Sequence, residues 1–317
     1  MNRIMTACLL AVVVSCSGVS EKLSPSEQRR SAFTSQAVPA VTGEVILSYA
    51  GSIGRDIPLK APWGISFGID GTLYVCDRDN ASILRFDRAG NVISRFNGFD
   101  SRTERMFLPI DVSVSGGIEI YGLDGANSRV LRFDRNLRNA YAIYRPETDK
   151  KNRFGTFKGL AFDQISGDLF ITDHDNGTVV RIDMLGRNIH TSGAFGSEKT
   201  SLEEPAGLDV NREGMLFIAD TGHGAVGVYH HFGADLSFIG EDVLEAPVDT
   251  AVLPDNRIAV ADKRGIVILS SSGKALGRTG FGFDRELSPR SVAYSEGKLY
   301  VSDALTASIL VYRIENN

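Results

Sequence analysis

The sequence predicts an all-β fold, a six-bladed β-propeller built from four-stranded antiparallel blades, and three observations carry that prediction. A pattern of apolar run, aspartate, polar turn and second apolar run recurs six times, with its aspartates at Asp77, Asp124, Asp173, Asp220, Asp262 and Asp303. Successive aspartates stand 41 to 49 residues apart, the length that four short strands and their turns occupy. The last copy is one strand short, and a surplus strand stands at the other end of the chain. The composition agrees: 33 glycines and 43% hydrophobic residues in 317 suit many short strands, tight turns and a sizeable core.

The first 43 residues stand apart from the repeats. One positive charge in Met1-Asn2-Arg3 precedes the apolar run Ile4 to Val14, the length of a signal-peptide core. Val13-Val14-Ser15-Cys16 resembles the bacterial lipobox, which implies cleavage after residue 15 and lipidation of Cys16. Ser17, in place of an aspartate, then implies the outer membrane, so a lipid-anchored envelope protein facing the periplasm or exterior is expected. Residues 16–43, rich in Ser, Pro and polar residues, read as a disordered tether. Its flexible span is roughly 30 Å. Residues 44–317 are the propeller. No mature segment has the ~18 or more consecutive apolar residues of a membrane span. With Cys8 removed and Cys16 acylated, Cys76 stands alone, so no disulfide is expected within the fold. The formal net charge of −5 gives no reason to expect nucleic acid.

Within the first repeat the strands are read at 64–69, 72–76, 82–87 and 91–96, with Asp70-Gly71 and Ala89-Gly90-Asn91 as turns. The inner strands of the six blades are expected to begin at Trp63, Ile110, Lys158, Ala206, Val248 and Arg290. Each repeat aspartate ends a second strand, where its carboxylate can accept N–H groups of the next turn, so a structural role acting six times is expected. Arg85, Arg132 and Arg181 are read as surface ladder pairs. The last blade lacks an outer strand after Ser308–Ile314, and Glu44 to Gly54 supplies one, closing the ring and covering open edges.

Pro62-Trp63-Gly64-Ile65, followed by Asp70-Gly71-Thr72-Leu73-Tyr74-Val75-Cys76-Asp77, resembles the NHL repeat. Pro205-Ala206-Gly207-Leu208 with Gly214-Met215-Leu216-Phe217-Ile218-Ala219-Asp220 resembles it too. The resemblance extends over about residues 44 to 314 and implies a six-bladed propeller. NHL-like propellers include binding modules, a peptide-amidating lyase and distant lactonase relatives, so the resemblance implies no single activity.

Up-and-down connectivity puts the segment leading into each inner strand and the turn after each repeat aspartate on one face of the disc. On that face Trp63, Lys158 and Arg290 interrupt small or aliphatic residues, and Asp111 and Asp249 break a column of Gly and Ser. Opposed blades put Lys158 across from Arg290 and Asp111 across from Asp249. Trp63 adjoins Arg290, within reach of a cation–π contact. Asp209 breaks a column of Ser and Ala on a strand that should be buried, where a carboxylate needs a partner or a metal. His174 and His223 share the face, but zinc needs a third ligand that no histidine there provides. Asp173 to Gly177 lacks the glycine position and distal Glu of a calcium loop. Two long connections, 97–108 and 145–157, also lead to this face.

The expected function is a monomeric envelope binding module for a protein, peptide or polysaccharide ligand at the loop-rich face, touching membrane through its lipid anchor only. No cofactor is implied. The alternative is a hydrolase or lyase using Asp111, Asp209 and Asp249 with a divalent cation.

Overall fold

The computed structural model describes residues 44–54, 57–98, 107–146, 154–192, 201–230, 236–280 and 286–317. The expected signal peptide, the Cys16 lipidation site and the tether lie outside them, as do most of the two long connections. The strands gather into six four-stranded antiparallel sheets, one per repeat. Observed boundaries follow the sequence closely: the first blade runs Pro62–Phe67, Leu73–Asp77, Ser82–Phe86 and Val92–Asn97. The inner strands are Pro62–Phe67, Pro109–Ser115, Phe157–Phe162, Pro205–Val210, Pro247–Val252 and Pro289–Ser295, each starting one residue earlier than expected. Proline suits that place, because a strand's first residue can do without a ladder N–H.

The ring closes through its own N-terminus. Val45–Ile53 pairs antiparallel with Ser308–Asn316, from Val45 opposite Asn316 to Ile53 opposite Ile309, so the last sheet contains both ends of the propeller. Register slips between Tyr49 and Gly51, where Gly51 takes φ +141°, a conformation that a side chain resists. Val45 and Leu47 pack into one core with Ala259 and Ile268 of blade five and Leu299 and Leu310 of blade six. The closing strand thus joins two blades, not one.

Every repeat aspartate is fully buried. Its carboxylate reaches further than the following turn, because it also takes N–H groups from the incoming connection. Asp77 accepts from Lys60 and Ala61, Asp220 from Glu203 and Glu204, and Asp262 from Glu245 and Ala246, all at 2.7–3.1 Å. The following turn is held as well, by Asn80 on Asp77 and Thr306 on Asp303. Six carboxylates therefore clip six connections to six turns on one face.

The arginine ladder differs from expectation in one respect. Arg132 pairs with Glu119 and Arg181 with Asp168, across strands. Arg85 is not a surface residue: it is 6% exposed, bound to Asp70 at 2.9 Å, and lies over the Tyr74 ring. Cys76 is a buried free thiol in the core, as a small filler should be.

Candidate functional site

The inner strands pair with a neighbour on one side only, so their other edge faces the central channel with N–H groups in need of acceptors. Side chains of the preceding blade supply several. Asp111 takes the Leu160 N–H at 2.7 Å, Asp209 that of Val252 at 2.8 Å, and Asp249 that of Val292 at 3.0 Å. Ser113 and Ser291 do the same for Phe162 and Ile65. The three carboxylates singled out in the sequence are thus stitches between neighbouring blades. Two of them also explain two glycines. A methyl group at Gly64 would come within 2.3 Å of Asp111 Oδ1, and one at Gly207 within 2.0 Å of Asp249 Oδ1.

These stitches sit where charge is costly. Burial pushes Asp209 up to about 6, against the two backbone N–H groups that favour its ionised form. Asp249 is pushed up to about 7, mainly by burial, with the Asp209 charge adding to it. Asp111 is held well above the usual carboxylate range by burial and by the Asp249 charge.

Above the carboxylates the channel widens into a cavity of about 160 Å³ lined by Trp63, Lys158, His174 and Arg290, with Asp111 and Asp249 at the boundary with a second, deeper cavity. Asp209 lines only the deeper space, of about 200 Å³. The structure therefore brings five of the six singled-out residues to one mouth and places Asp209 below it. Arg290 lies over the Trp63 ring at 5.0 Å, the contact expected from ring order, and Arg78 lies over the same ring at 4.4 Å. Trp63 thus holds two guanidinium groups. Among the described residues neither Lys158 nor Arg290 has an ion-pair partner within 4.0 Å.

The sequence put the turn after each repeat aspartate on this face, with His174 in it, but not the parts of Arg78 and Thr221. Arg78, His174 and Thr221 occupy the first position of that turn in blades one, three and four, and read as a column they point to this face. His174 Nδ1 meets the Pro205 carbonyl at 3.2 Å, and Thr221 Oγ1 donates to the Pro247 carbonyl at 2.6 Å. A carbonyl only accepts, so the Nδ1 of His174 carries a proton, and in the neutral imidazole Nε2 is then the acceptor. His223 is elsewhere, bound to buried Asp220 at 2.9 Å and stacked on Phe238. The two histidines do not meet in one site. Among the described residues no three of His, Cys, Asp and Glu are grouped to hold a metal ion.

No family model matches the chain, and no curated protein does. Solved structures match its fold. A streptogramin B lyase aligns with TM-score 0.62 and 12% identity over 86% of this chain and 98% of its own. A protein of unknown function from Bacteroides thetaiotaomicron aligns with TM-score 0.60 and 15% identity, over 86% and 76%. A chain of a nidogen/laminin complex gives TM-score 0.59 and 15% identity, over 78% and 97%. At such identities the likeness is one of fold.

Proposed function

We propose that this chain is an envelope-anchored binding module of NHL-repeat type, whose channel mouth takes an anionic group of a protein, peptide or polysaccharide. One observation carries the reading: two cations without ion-pair partners among the described residues, Lys158 and Arg290, line a single cavity, and Arg290 rests on an aromatic wall. A cation at a concave mouth attracts anions more strongly than one on an open surface. Its volume of about 160 Å³ admits a group no larger than a side chain or one sugar ring. The nidogen/laminin complex is a precedent for a propeller of this fold in a protein complex.

A hydrolase or lyase is the second reading, and His174 favours it: a histidine with Nδ1 pinned and Nε2 open, in the same cavity as Lys158, can move a proton. The streptogramin B lyase shows the fold in an enzyme. A divalent cation on Asp111, Asp209 and Asp249 would have to use the lone pairs that their bonds to backbone N–H groups leave free.

The test is retention of ligands from an envelope extract and from panels of acidic peptides and acidic glycans, by wild type and by Lys158→Ala with Arg290→Ala. Retention should fall with added salt and be lost in the double variant. Retention indifferent to both overturns the anion-binding mouth. A melting temperature raised by calcium or zinc, and lowered by chelator, favours the metal-dependent enzyme instead.

A further inference from the structure

The face opposite the mouth carries an apolar patch where turns are ordinarily polar. Ile69, Ile118 and Ile165 stand at the tips of the turns after the inner strands of three successive blades, 81%, 73% and 70% exposed. The outer turn of the third blade adds Leu185 at 70% and Met184 at 46%. The corresponding inner turns of the other three blades read Asn211-Arg212-Glu213, Pro254-Asp255-Asn256 and Ser295-Glu296-Gly297. Turn tips favour Gly, Asn, Asp and Ser, so three isoleucines on one side of the ring are a departure that turn geometry does not require. On the mouth side, the described turns present one large exposed apolar side chain, Leu305.

The patch is preformed. A methyl group at Gly117 would come within 2.7 Å of Ile69 Cγ1, so the first two tips touch. Gln164 ties the second to the third: its Oε1 accepts the Gly116 N–H, and its Nε2 donates to the Val114 carbonyl. Basic residues surround the tips. Arg88, Arg135, Arg138 and Arg187 are exposed on the outer turns of the same three blades. Three of them are in surface ion pairs, Arg88 with Glu296, Arg135 with Asp70 and Arg187 with Asp183, which solvent screens and an anionic surface can compete for. Asp87 and Asp134 accept their own turns' N–H groups, and Asp183 does so with one oxygen while its other pairs with Arg187.

The chain itself reaches the propeller on this face. Because Val45 is opposite Asn316, the closing strand begins at the end of the last blade that lies away from the mouth. Glu44 is held there by Lys274 at 2.9 Å and by the Asn317 N–H at 3.0 Å. The first described residue, Glu44, therefore lies on the side of the isoleucine tips.

We propose, resting on the envelope anchor of the proposed function, that the isoleucine-tipped face docks on the lipid surface that holds the anchor, and that docking turns the channel mouth away from the membrane. Exposed apolar tips enter the acyl boundary while arginines meet anionic headgroups, the division of labour of interfacial proteins. Glu44 lies on the same side, so the disc reaches that surface without wrapping chain around its rim.

The experiment uses the full chain in vesicles of phosphatidylethanolamine and phosphatidylglycerol, with an environment-sensitive fluorophore at Ile118→Cys or, separately, at Leu305→Cys. The parent chain, whose Cys76 is buried, is the labelling control. Emission from position 118 should shift to the blue and be lost when nitroxide-bearing lipid is included, while position 305 stays unaffected. Adding Ile69→Ser and Ile165→Ser should abolish the response at 118 without lowering the melting temperature, since both side chains are exposed. If 118 and 305 respond alike, or neither responds, the docking face is wrong. If 118 is shielded only when envelope proteins are added, the occupant is a protein and the lipid assignment fails.

Discussion

Asp111, Asp209 and Asp249 share one narrow channel, and their charges oppose each other. A carboxylate whose pKa is raised by folding holds its proton in the folded state at pH values where the unfolded chain has lost it. Such a group contributes stability fully below the unfolded value, about 3.9, and that contribution is lost as pH rises through the folded value. For Asp209, at about 6, and Asp249, at about 7, the window is therefore pH 4 to 7. Asp209→Asn removes the titration but keeps one acceptor. Between pH 4 and 7 the stability of the variant should improve relative to wild type by about 1–2 kcal/mol, discounted because the side chain lines an open channel. A pH-independent difference would show that Asp209 titrates as a surface carboxylate does. The repeat aspartates call for a different measurement. Asp262→Ala strands the N–H groups of Glu245 and Ala246 and should cost about 2–4 kcal/mol in urea unfolding. A cost below about 0.5 kcal/mol would mean that the connection does not need its clip.

At the scale of elements, the strands were legible because each repeat restates the same alternation, so a boundary misread in one blade is corrected by five others. The closing strand was legible for a different reason, a deficit at one end matched by a surplus at the other. That Val45 and Leu47 also pack on blade five was not legible, because it depends on the ring being closed. Removing residues 44–54 should therefore damage two blades, exposing Leu310 and Tyr312 together with the core of blade five. The expected fall in melting temperature is on the order of 10 °C or more, while removing 17–43 should change it by no more than about 2 °C. Equal melting temperatures for the two deletions would refute closure by this strand.

Over the whole molecule, the mouth was partly legible. Trp63, Lys158 and Arg290 stood out because they depart from their own columns. Arg78 and Thr221 did not, because the position after each aspartate reads first as a turn, and His174 drew notice only as a zinc candidate. The stitch from Asp209 to Val252 spans 43 residues and exists only through ring geometry, so sequence spacing gives no sign of it. Anchoring is decided at this scale as well. Cys16→Ala should release the protein to the soluble fraction or leave its signal uncleaved, as seen by fractionation and mature mass. A variant that stays in the membrane at mature size would locate the anchor elsewhere.

The two faces of the disc can then be set against each other. Lys158→Ala with Arg290→Ala removes these two cations from the mouth, and stability should move by no more than about 1 kcal/mol, because rim cations and one half-buried cation–π contact contribute little. The matched change on the far side must avoid Asp70, which neutralises the buried Arg85 as well as Arg135. Its loss would leave a charge unpaired in the blade and mimic a binding defect through misfolding. Glu213→Ala with Asp255→Ala is the better control for folding: it changes net charge by two as well, in the opposite direction, on the polar half of that face. Ligand retention measured on purified, equally folded protein should vanish for the mouth pair and persist for the far pair. The opposite pattern would place the working surface on the side that bears Glu44, and the mouth would then be a consequence of closing a six-bladed ring.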